Sequence, residues 1–479
     1  MVLSPQARWG TAARSLVAAV LLCACASVQG EGWGAFELDA TFRAAARAGV
    51  LDEGSERGAA ARSPGERGAE LGAADSADVP ADAPVVQLIA FGDAGASTAA
   101  QRQVTEALAR TLEQARAEVE GARRVIPVVL WLGNNFGEHA LAPVPAGDTR
   151  ARAVCISTQD AWSRPEAAAL AKVVRAHRWA GFASFAVLGR RDWECGAPQL
   201  AFQEPGDDGP HPWVMPTYNY VVRVFPGGEA RVASRCDAGP AITCALEPGG
   251  EAALVELVLL DTSPWNDPPF GERSEDRDAE SLAQQRALLE AVRASAAERA
   301  SAPLRLLVTH HPIETAGPHG QGGLYPDSAF MYTEPALQRL LDDGVFAGVI
   351  SGHDRNLQVT ADISDGVKRS SRYWLDYPVF QVVAGASSRP DGRAGAGARG
   401  LSWYKGQALI PDLISERAGF AELRVSADDV LALLHTRAGG RWRVGAVTIP
   451  RGRARHPVAT ASPGMEPCVG CDSRPPRPR

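Results

Sequence analysis

Short apolar runs that each end in a polar turn recur along this chain, and they constrain its fold more than any other feature. Continuous apolar runs of this length are typical of strands buried on both faces, and such strands occur in parallel sheets. The runs and the turns that follow them are Val85–Phe91 before Gly92-Asp93, Val125–Leu132 before Gly133-Asn134-Asn135, Phe182–Leu188 before Gly189-Arg190-Arg191-Asp192, Leu304–Thr309 before His310-His311-Pro312, and Val345–Ile350 before Ser351-Gly352-His353-Asp354.

Helical segments alternate with these strands. The predicted helices are Gln101–Gly121, Glu166–His177 and Ala279–Arg299, and the further predicted strands are Leu254–Leu260 before Asp261-Thr262, Pro378–Val383 and Phe420–Leu434. Alternation of this kind predicts an α/β fold with its ligand site at the carboxyl ends of the strands. Turn chemistry alone explains one such loop, but five in order, with His and Asp at the tips, indicate a site.

Charge and composition exclude several classes of protein. The 479 residues carry a formal net charge of −7, and a chain without a basic surplus is a poor candidate for a nucleic-acid partner. The length allows one large domain or two to three ordinary ones. A collagen, a coiled coil and a multi-span membrane protein are excluded, because no long repeat or series of apolar spans is present.

The two ends of the chain differ from its middle. Residues 1–25 predict an export signal, with Arg8 and Arg14 before an apolar run and a lipobox-like ending at Cys25, the predicted site of lipidation. Cleavage after a small residue, without a lipid, is the alternative. Residues 31–83 predict a disordered tether and residues 451–479 a disordered basic tail, which leaves one domain over 84–450.

Cysteine usage agrees with export. Six cysteines remain after the signal region, and an even number in an oxidising compartment indicates disulfides. Cys236 and Cys244 flank a Gly-Pro turn and are predicted to close a local loop. Cys155 with Cys195 is the next candidate pair, which leaves Cys468 and Cys471 in the tail.

The polar tips together resemble the calcineurin-like metallophosphoesterases, most closely the purple acid phosphatase branch, over roughly residues 85–435. The resemblance rests on the ending Gly352-His353-Asp354-Arg355-Asn356-Leu357-Gln358, on His310-His311-Pro312 followed by His319-Gly320, and on Leu259-Leu260-Asp261-Thr262. It implies an α/β fold in which two mixed β-sheets form a sandwich flanked by helices. It also implies a dinuclear metal centre that clamps phosphate oxygens and activates water.

Several residues match the site of that family. The resemblance implies that Asp93 is a ligand of the first metal and that His310 and His353 are ligands of the second. It implies that His319 is the catalytic histidine that binds substrate or protonates the leaving oxygen. Asp354 is predicted to orient the ring of His353.

Other positions depart from the pattern. Asn134, a weak metal ligand at best, stands where the family has its bridging aspartate, and Gly137 stands where it has a tyrosine. Arg190, Arg191 and Arg355 replace the asparagine and the two histidines of the other motifs. A guanidinium cannot become a ligand, and two divalent ions at the family's spacing repel by about 20 kcal/mol. The sequence therefore predicts that two metals are not bound.

Three arrangements of this altered site remain open. Asp93 and Arg355 form a structural plug, or Arg190, Arg191, Arg355 and His319 form a pocket for a phosphate, sulfate or carboxylate. In the third, one iron, zinc or manganese ion binds to His310, His353 and Asp93.

The functional hypotheses follow these arrangements. The first is an envelope protein with an eroded centre, weak or no hydrolysis, a small anionic ligand, and a lipid anchor as its only membrane contact. The second is an active phosphomonoesterase with one metal or an altered ligand set. The third is a structural surface protein with a plugged pocket.

Overall fold

A computed structural model of the chain describes residues 84–94, 98–120, 124–135, 140–142, 155–157, 182–193, 213–237, 242–247, 252–266, 275–298, 303–313, 315, 317, 334–363, 378–388, 390, 413–438 and 440–450. The predicted export signal, tether, tail and helix Glu166–His177 lie outside these residues, so those expectations stay predictions.

Strands dominate the described residues. In chain order they are β1 (Val85–Phe91), β2 (Val125–Leu132), β3 (Ala140–Ala142), β4 (Cys155–Ser157), β5 (Ala183–Val187), β6 (Tyr220–Val224), β7 (Ala230–Val232), β8 (Ser234–Asp237), β9 (Thr243–Leu246), β10 (Val255–Leu260), β11 (Leu304–Thr309), β12 (Gly348–Ser351), β13 (Leu357–Thr360), β14 (Phe380–Ala384), β15 (Leu413–Ser415), β16 (Gly419–Val425), β17 (Asp429–Ala438) and β18 (Arg441–Pro450). The described helices are α1 (Ala99–Glu120), α2 (Ser263–Asn266), α3 (Glu275–Glu298) and α4 (Pro335–Asp342), with a 3-10 turn at Arg190–Trp193.

Two mixed sheets hold most of these strands. The first has the order β18-β17-β16-β1-β2-β5, and the second has the order β15-β13-β14-β12-β11-β10-β6-β7. In the first sheet β1, β2 and β5 are parallel, and in the second β10, β11, β12 and β14 are parallel. The carboxyl ends of parallel strands meet at one edge of a sheet, so the polar turns that follow them are collected there.

The sheets pack face to face around one apolar core. Leu88 and Leu130 of the first sheet and Leu259 and Val308 of the second belong to the same buried cluster. Side chains alternate between the faces of a strand, so the neighbours of Leu259 and Val308 face the other way, against α3 and α4. The result is the two-sheet α/β sandwich with flanking helices that the resemblance implied, and the predicted fold class is confirmed.

Most of the predicted strands lie where the apolar runs placed them. β1, β2 and β11 have the predicted bounds, and α1 begins two residues before the predicted helix. The predicted strand Phe420–Leu434 is instead the hairpin of β16 and β17. The hydroxyl of Ser426 accepts hydrogen bonds from the N–H groups of Asp428 and Asp429 and closes the turn there.

A disulfide joins β8 to β9. It links Cys236 and Cys244, as the turn between them predicted, and it suits an oxidising compartment. The other predicted pairs include Cys195, Cys468 and Cys471, which lie outside the described residues. None of the helices in the described residues combines the length and the apolar character that a membrane span requires.

Candidate functional site

The ends of strands from both sheets meet in one region, here called the cleft, and glycine allows their close approach. A β-carbon on Gly352, after β12, would lie 2.7 Å from the carbonyl oxygen of Leu132 at the end of β2. A β-carbon on Gly133 would lie 2.5 Å from Nδ1 of His310, and Gly133 has a φ of 85°. Both distances are too short for real carbon contacts, so only glycine fits where these turns cross.

Left-handed backbone marks the same turns. Asp93, Asn134 and His353 have φ values of 52°, 50° and 63°, and no other non-glycine residue among those described has a positive φ. Such conformations cost free energy and persist where the surrounding structure imposes them, often at functional sites. The three residues that follow β1, β2 and β12 are therefore held in fixed positions around the cleft.

One side of the cleft, here called the carboxylate half, contains Asp93, Asn134, Arg191 and Arg355. Nδ2 of Asn134 donates a hydrogen bond of 2.8 Å to Oδ1 of Asp93, and Oδ1 of Asn134 accepts one of 2.9 Å from the backbone N–H of Arg191. Only one orientation of the Asn134 amide satisfies both bonds. Asn134 therefore presents N–H, not oxygen, to the carboxylate.

Arg355 reaches the same carboxylate from the turn after β12. Its Nε lies 4.0 Å from Oδ1 of Asp93, and its side chain is 29% exposed while that of Asp93 is 6% exposed. The predicted ion pair between Asp93 and Arg355 is thus present at the outer limit of ion-pair distance. The side chain of Arg191 is half-buried.

The other side of the cleft, here called the histidine half, contains His310, His311 and His353. One ring nitrogen from each lies within 4.8 Å of the corresponding nitrogens of the other two. His310 and His311 are fully buried, while His353 is partly exposed. Sequence reasoning chose His310 and His353 and missed His311.

Hydrogen bonds fix the rings of the two buried histidines. Nδ1 of His310 lies 2.6 Å from the carbonyl oxygen of Leu132, and Nδ1 of His311 lies 2.7 Å from Oγ1 of Thr262. A carbonyl oxygen can only accept, so Nδ1 of His310 carries a proton, and in the neutral ring Nε2 has the lone pair. Sequence reasoning could have found His311 through Thr262. Thr262 follows β10, the strand next to β11, and its hydroxyl group therefore lies within reach of a histidine that follows β11.

Serines of the loop after β14 anchor the Asp93 turn. The hydroxyl of Ser387 donates to the carbonyl oxygen of Gly92, and that of Ser388 donates to the carbonyl oxygen of Asp93. Sequence reasoning did not single out either serine. Their bonds fix the backbone on which the Asp93 carboxylate stands.

Asp354 is buried behind the cleft. Its Oδ2 accepts a hydrogen bond from the hydroxyl of Thr315, which also accepts from Nε2 of Gln358 at 2.8 Å. This network holds the chain in place at Thr315. The predicted role of Asp354 in orienting His353 stays a prediction.

Some of the predicted site residues are not described. His319 and Cys25 lie outside the described residues, and of Arg190 only the backbone is described, at the start of the 3-10 turn. The roles predicted for these residues stay predictions. The structure thus brings together Asp93, Asn134 and Arg355, and separately His310 and His353.

No protein-family model matches the chain, and no curated protein matches it. Three similar solved structures are "GAP50 the anchor in the inner membrane complex of Plasmodium" (16% identity, 76% of this chain and 89% of that one, TM-score 0.46), PhoD (14%, 78% and 69%, 0.39) and Vacuolar Protein Sorting 29 from Cryptosporidium parvum (11%, 76% and 98%, 0.27). At these scores the likenesses contribute no argument about the site.

Proposed function

We propose that this chain is an exported protein of phosphoesterase-like fold that has lost the two-metal centre and binds a phosphate-like anion in its cleft, with little or no hydrolysis. The observation that carries the proposal is the environment of Asp93, whose carboxylate faces the amide N–H of Asn134 and the guanidinium of Arg355. The ligand is a small anionic or phosphorylated molecule. The chain reaches the membrane of a bacterial envelope only through a lipid on Cys25.

A dinuclear centre does not fit the carboxylate half. A bridging ligand needs lone pairs directed at both metals, and Asn134 directs an N–H group toward Asp93. A divalent ion on Asp93 would lie about 5 Å from the Arg355 guanidinium, a repulsion of about 7 kcal/mol at an effective dielectric of 20. The N–H group of Asn134 and the positive charge of Arg355 thus already face the Asp93 carboxylate, which the first metal would otherwise neutralise.

The same charge suits an anion. Guanidinium groups bind phosphate through paired hydrogen bonds, and the partly exposed side chain of Arg355 stands beside Asp93, while the backbone N–H of Arg191 is bound to Asn134. Arg355 is not enclosed by its partner, because its Nε is 4.0 Å from the Asp93 carboxylate and its side chain is 29% exposed. This geometry favours the anion pocket over the structural plug.

Phosphate protection of the full chain tests the anion site. Inorganic phosphate should raise the thermal unfolding midpoint relative to chloride at equal ionic strength, since a ligand of the native state stabilises it. Arg355→Gln should weaken phosphate binding about 10- to 100-fold, the value of a charged hydrogen bond. Arg417→Gln, at an exposed arginine, is the matched control and should bind as the parent does. Equal protection of the parent and Arg355→Gln would refute the anion site.

Metal content tests the loss of the dinuclear centre. The parent, offered iron, zinc and manganese, should hold at most one ion per chain by elemental mass spectrometry. The combined variant Asn134→Asp, Arg190→Asn and Arg355→His should gain about one further ion, because it restores a bridging carboxylate and removes two cations. Two ions on the parent, with turnover of a phosphomonoester, would refute the proposal.

A second candidate function is a phosphomonoesterase that works with one metal. The histidine half favours it, since three clustered ring nitrogens match the ligand count of a mononuclear catalytic site. Turnover that follows one bound ion per chain would favour this candidate, and one bound ion without turnover would favour the first.

A further inference from the structure

We infer that His310, His311 and His353 bind a single divalent metal ion of the zinc type, with His311 as a ligand in place of Asp93. This ligand set differs from the one that the sequence predicted. It goes beyond the proposed anion site, because it concerns the other half of the cleft.

The spacing of the ring nitrogens suits one ion. Two nitrogens bound to the same tetrahedral zinc at 2.0–2.1 Å lie about 3.3–3.4 Å apart. Nδ1 of His353 and Nε2 of His310 are 3.3 Å apart. His311 completes the group, in which all the nitrogens lie within 4.8 Å of one another.

Asp93 is the weaker candidate for the third ligand. Its Oδ1 accepts the hydrogen bond of Asn134 and lies 4.0 Å from Nε of Arg355. A metal on that carboxylate would compete with an N–H donor and with a fixed positive charge. His311 instead lies beside the other two imidazoles, with ring centroids at 4.9 Å from His310 and 4.3 Å from His353.

Hydrogen bonds behind the rings prepare them for this role. Metal-binding histidines commonly use their second nitrogen to contact a carbonyl or another polar group, which fixes the tautomer and the ring plane. Here Leu132 supplies a carbonyl oxygen to His310 and Thr262 supplies a hydroxyl to His311. His353 is partly exposed, so the three imidazoles together would hold the metal between the protein interior and the surface.

Direct hydrogen bonding between the imidazoles is the competing explanation of the cluster. The 3.3 Å separation of His353 and His310 also permits a hydrogen bond from one ring to the other. That explanation predicts that metal does not bind, which a titration decides.

Cobalt titration of the metal-stripped full chain tests the inference. Co²⁺ should bind at one equivalent and give the intense visible absorption of a tetrahedral site, and Zn²⁺ should displace it. X-ray absorption of the zinc form should show three imidazoles. No binding, or fewer than three imidazoles, would overturn the inference and leave the anion site standing. Two equivalents per chain would overturn both.

Variants assign the ligands. His311→Ala should weaken Co²⁺ binding at least about 100-fold, because a mononuclear site with two protein ligands falls below the usual three. Asp93→Asn and His435→Gln, a histidine that pairs with Glu422 elsewhere, should retain full binding. Unchanged binding by His311→Ala, or loss in Asp93→Asn, would overturn the inference.

A milder variant guards against misfolding of His311→Ala. Thr262→Val removes the hydroxyl beside Nδ1 of His311 and keeps the shape of the side chain. It should weaken metal binding about 10-fold, the usual effect of a partner behind a ligand. Binding by Thr262→Val equal to that of the parent would count against His311 as a ligand.

Discussion

Two buried carboxylates of this chain meet arginine in different ways. Glu256 in β10 lies 2.8 Å from Nε of Arg223 and 2.5 Å from Nε of Arg305, and all three side chains are at most 2% exposed. Asp93 in the cleft lies 4.0 Å from Nε of Arg355, whose side chain is 29% exposed. The first group is closed to solvent, and the second is partly exposed on its arginine side.

Strand register explains the closed group. Glu256 stands directly opposite Arg223 on β6 and Arg305 on β11, so the backbone brings both guanidinium groups to one carboxylate. Burial works to raise the pKa of Glu256, but the charges and hydrogen bonds of the two arginines outweigh it and lower the pKa. The cleft has no such register, because Asp93 and Arg355 stand on turns. The difference favours a cleft that offers its arginine to a ligand.

The largest effect is expected at Glu256. Glu256→Gln leaves two buried arginines without their carboxylate, so the free energy of unfolding should fall by about 3–5 kcal/mol. Chemical denaturation monitored by circular dichroism measures it. Asp237→Asn breaks an exposed pair with Arg235 and should cost less than about 0.5 kcal/mol. A loss at Glu256 as small as that of the control would remove the contrast with the cleft.

A third carboxylate, Glu422 in β16, sharpens the comparison through pH. Burial works to raise its pKa, but the hydrogen bond and charge of His435 and the charge of Arg424 outweigh it and lower the pKa to about 2 from 4.5. Because the folded pKa lies below the unfolded one, Glu422 contributes stability above about pH 4.5 and loses it as the pH falls toward 2.

The contribution of Glu422 is about 3 kcal/mol, the free energy that corresponds to the difference between its unfolded and folded pKa values. Urea unfolding of the parent and of Glu422→Gln at several pH values measures it. The difference between the two proteins should shrink by about this amount from pH 5 to pH 2. A difference that does not change over this range would show that Glu422 is not compensated in this way.

Backbone contacts, rather than an ion pair, are expected to hold the cleft. Gly133→Ala should cost about 2 kcal/mol more than Gly440→Ala. The two glycines have φ values of 85° and 83°, but a β-carbon on Gly440 meets nothing within 4 Å and one on Gly133 meets His310. The difference between the unfolding free energies of the two variants measures the crowding at Gly133 alone, because both variants carry the same cost of a positive φ. Equal losses would mean that the strand ends relax freely.

The sequence predicted the fold better than it predicted the contacts of the site. β1, β2 and β11 follow from mainly apolar runs, and a strand buried on both faces has few alternatives to such a composition. Asp93 and Asn134 were identified through the resemblance to the metallophosphoesterase motifs, in which each directly follows a glycine at a strand end.

His311 was missed for a physical reason. Neighbouring residues of a strand face opposite sides, so a pair of adjacent histidines suggests that only one enters a site. The chain leaves β11 at Thr309, and beyond that point alternation no longer holds, so both rings reach the cleft. Arg223 was missed as a partner of Glu256 because strand β6 was not predicted.

The smallest effect is expected at Asp93, and it decides between plug and pocket. Asp93→Asn keeps an oxygen that can accept the hydrogen bond of Asn134 and removes only the charge facing Arg355. The free energy of unfolding should fall by about 1 kcal/mol or less, as for a long, partly exposed ion pair. The affinity for inorganic phosphate should rise a few-fold, because the negative charge of Asp93 then no longer competes with the ligand for Arg355. A loss of stability like that of Glu256→Gln, with unchanged phosphate affinity, would show that Asp93 and Arg355 form a structural plug. Breaking a pair that closes the cleft would lower the stability of the fold without freeing Arg355 for a ligand.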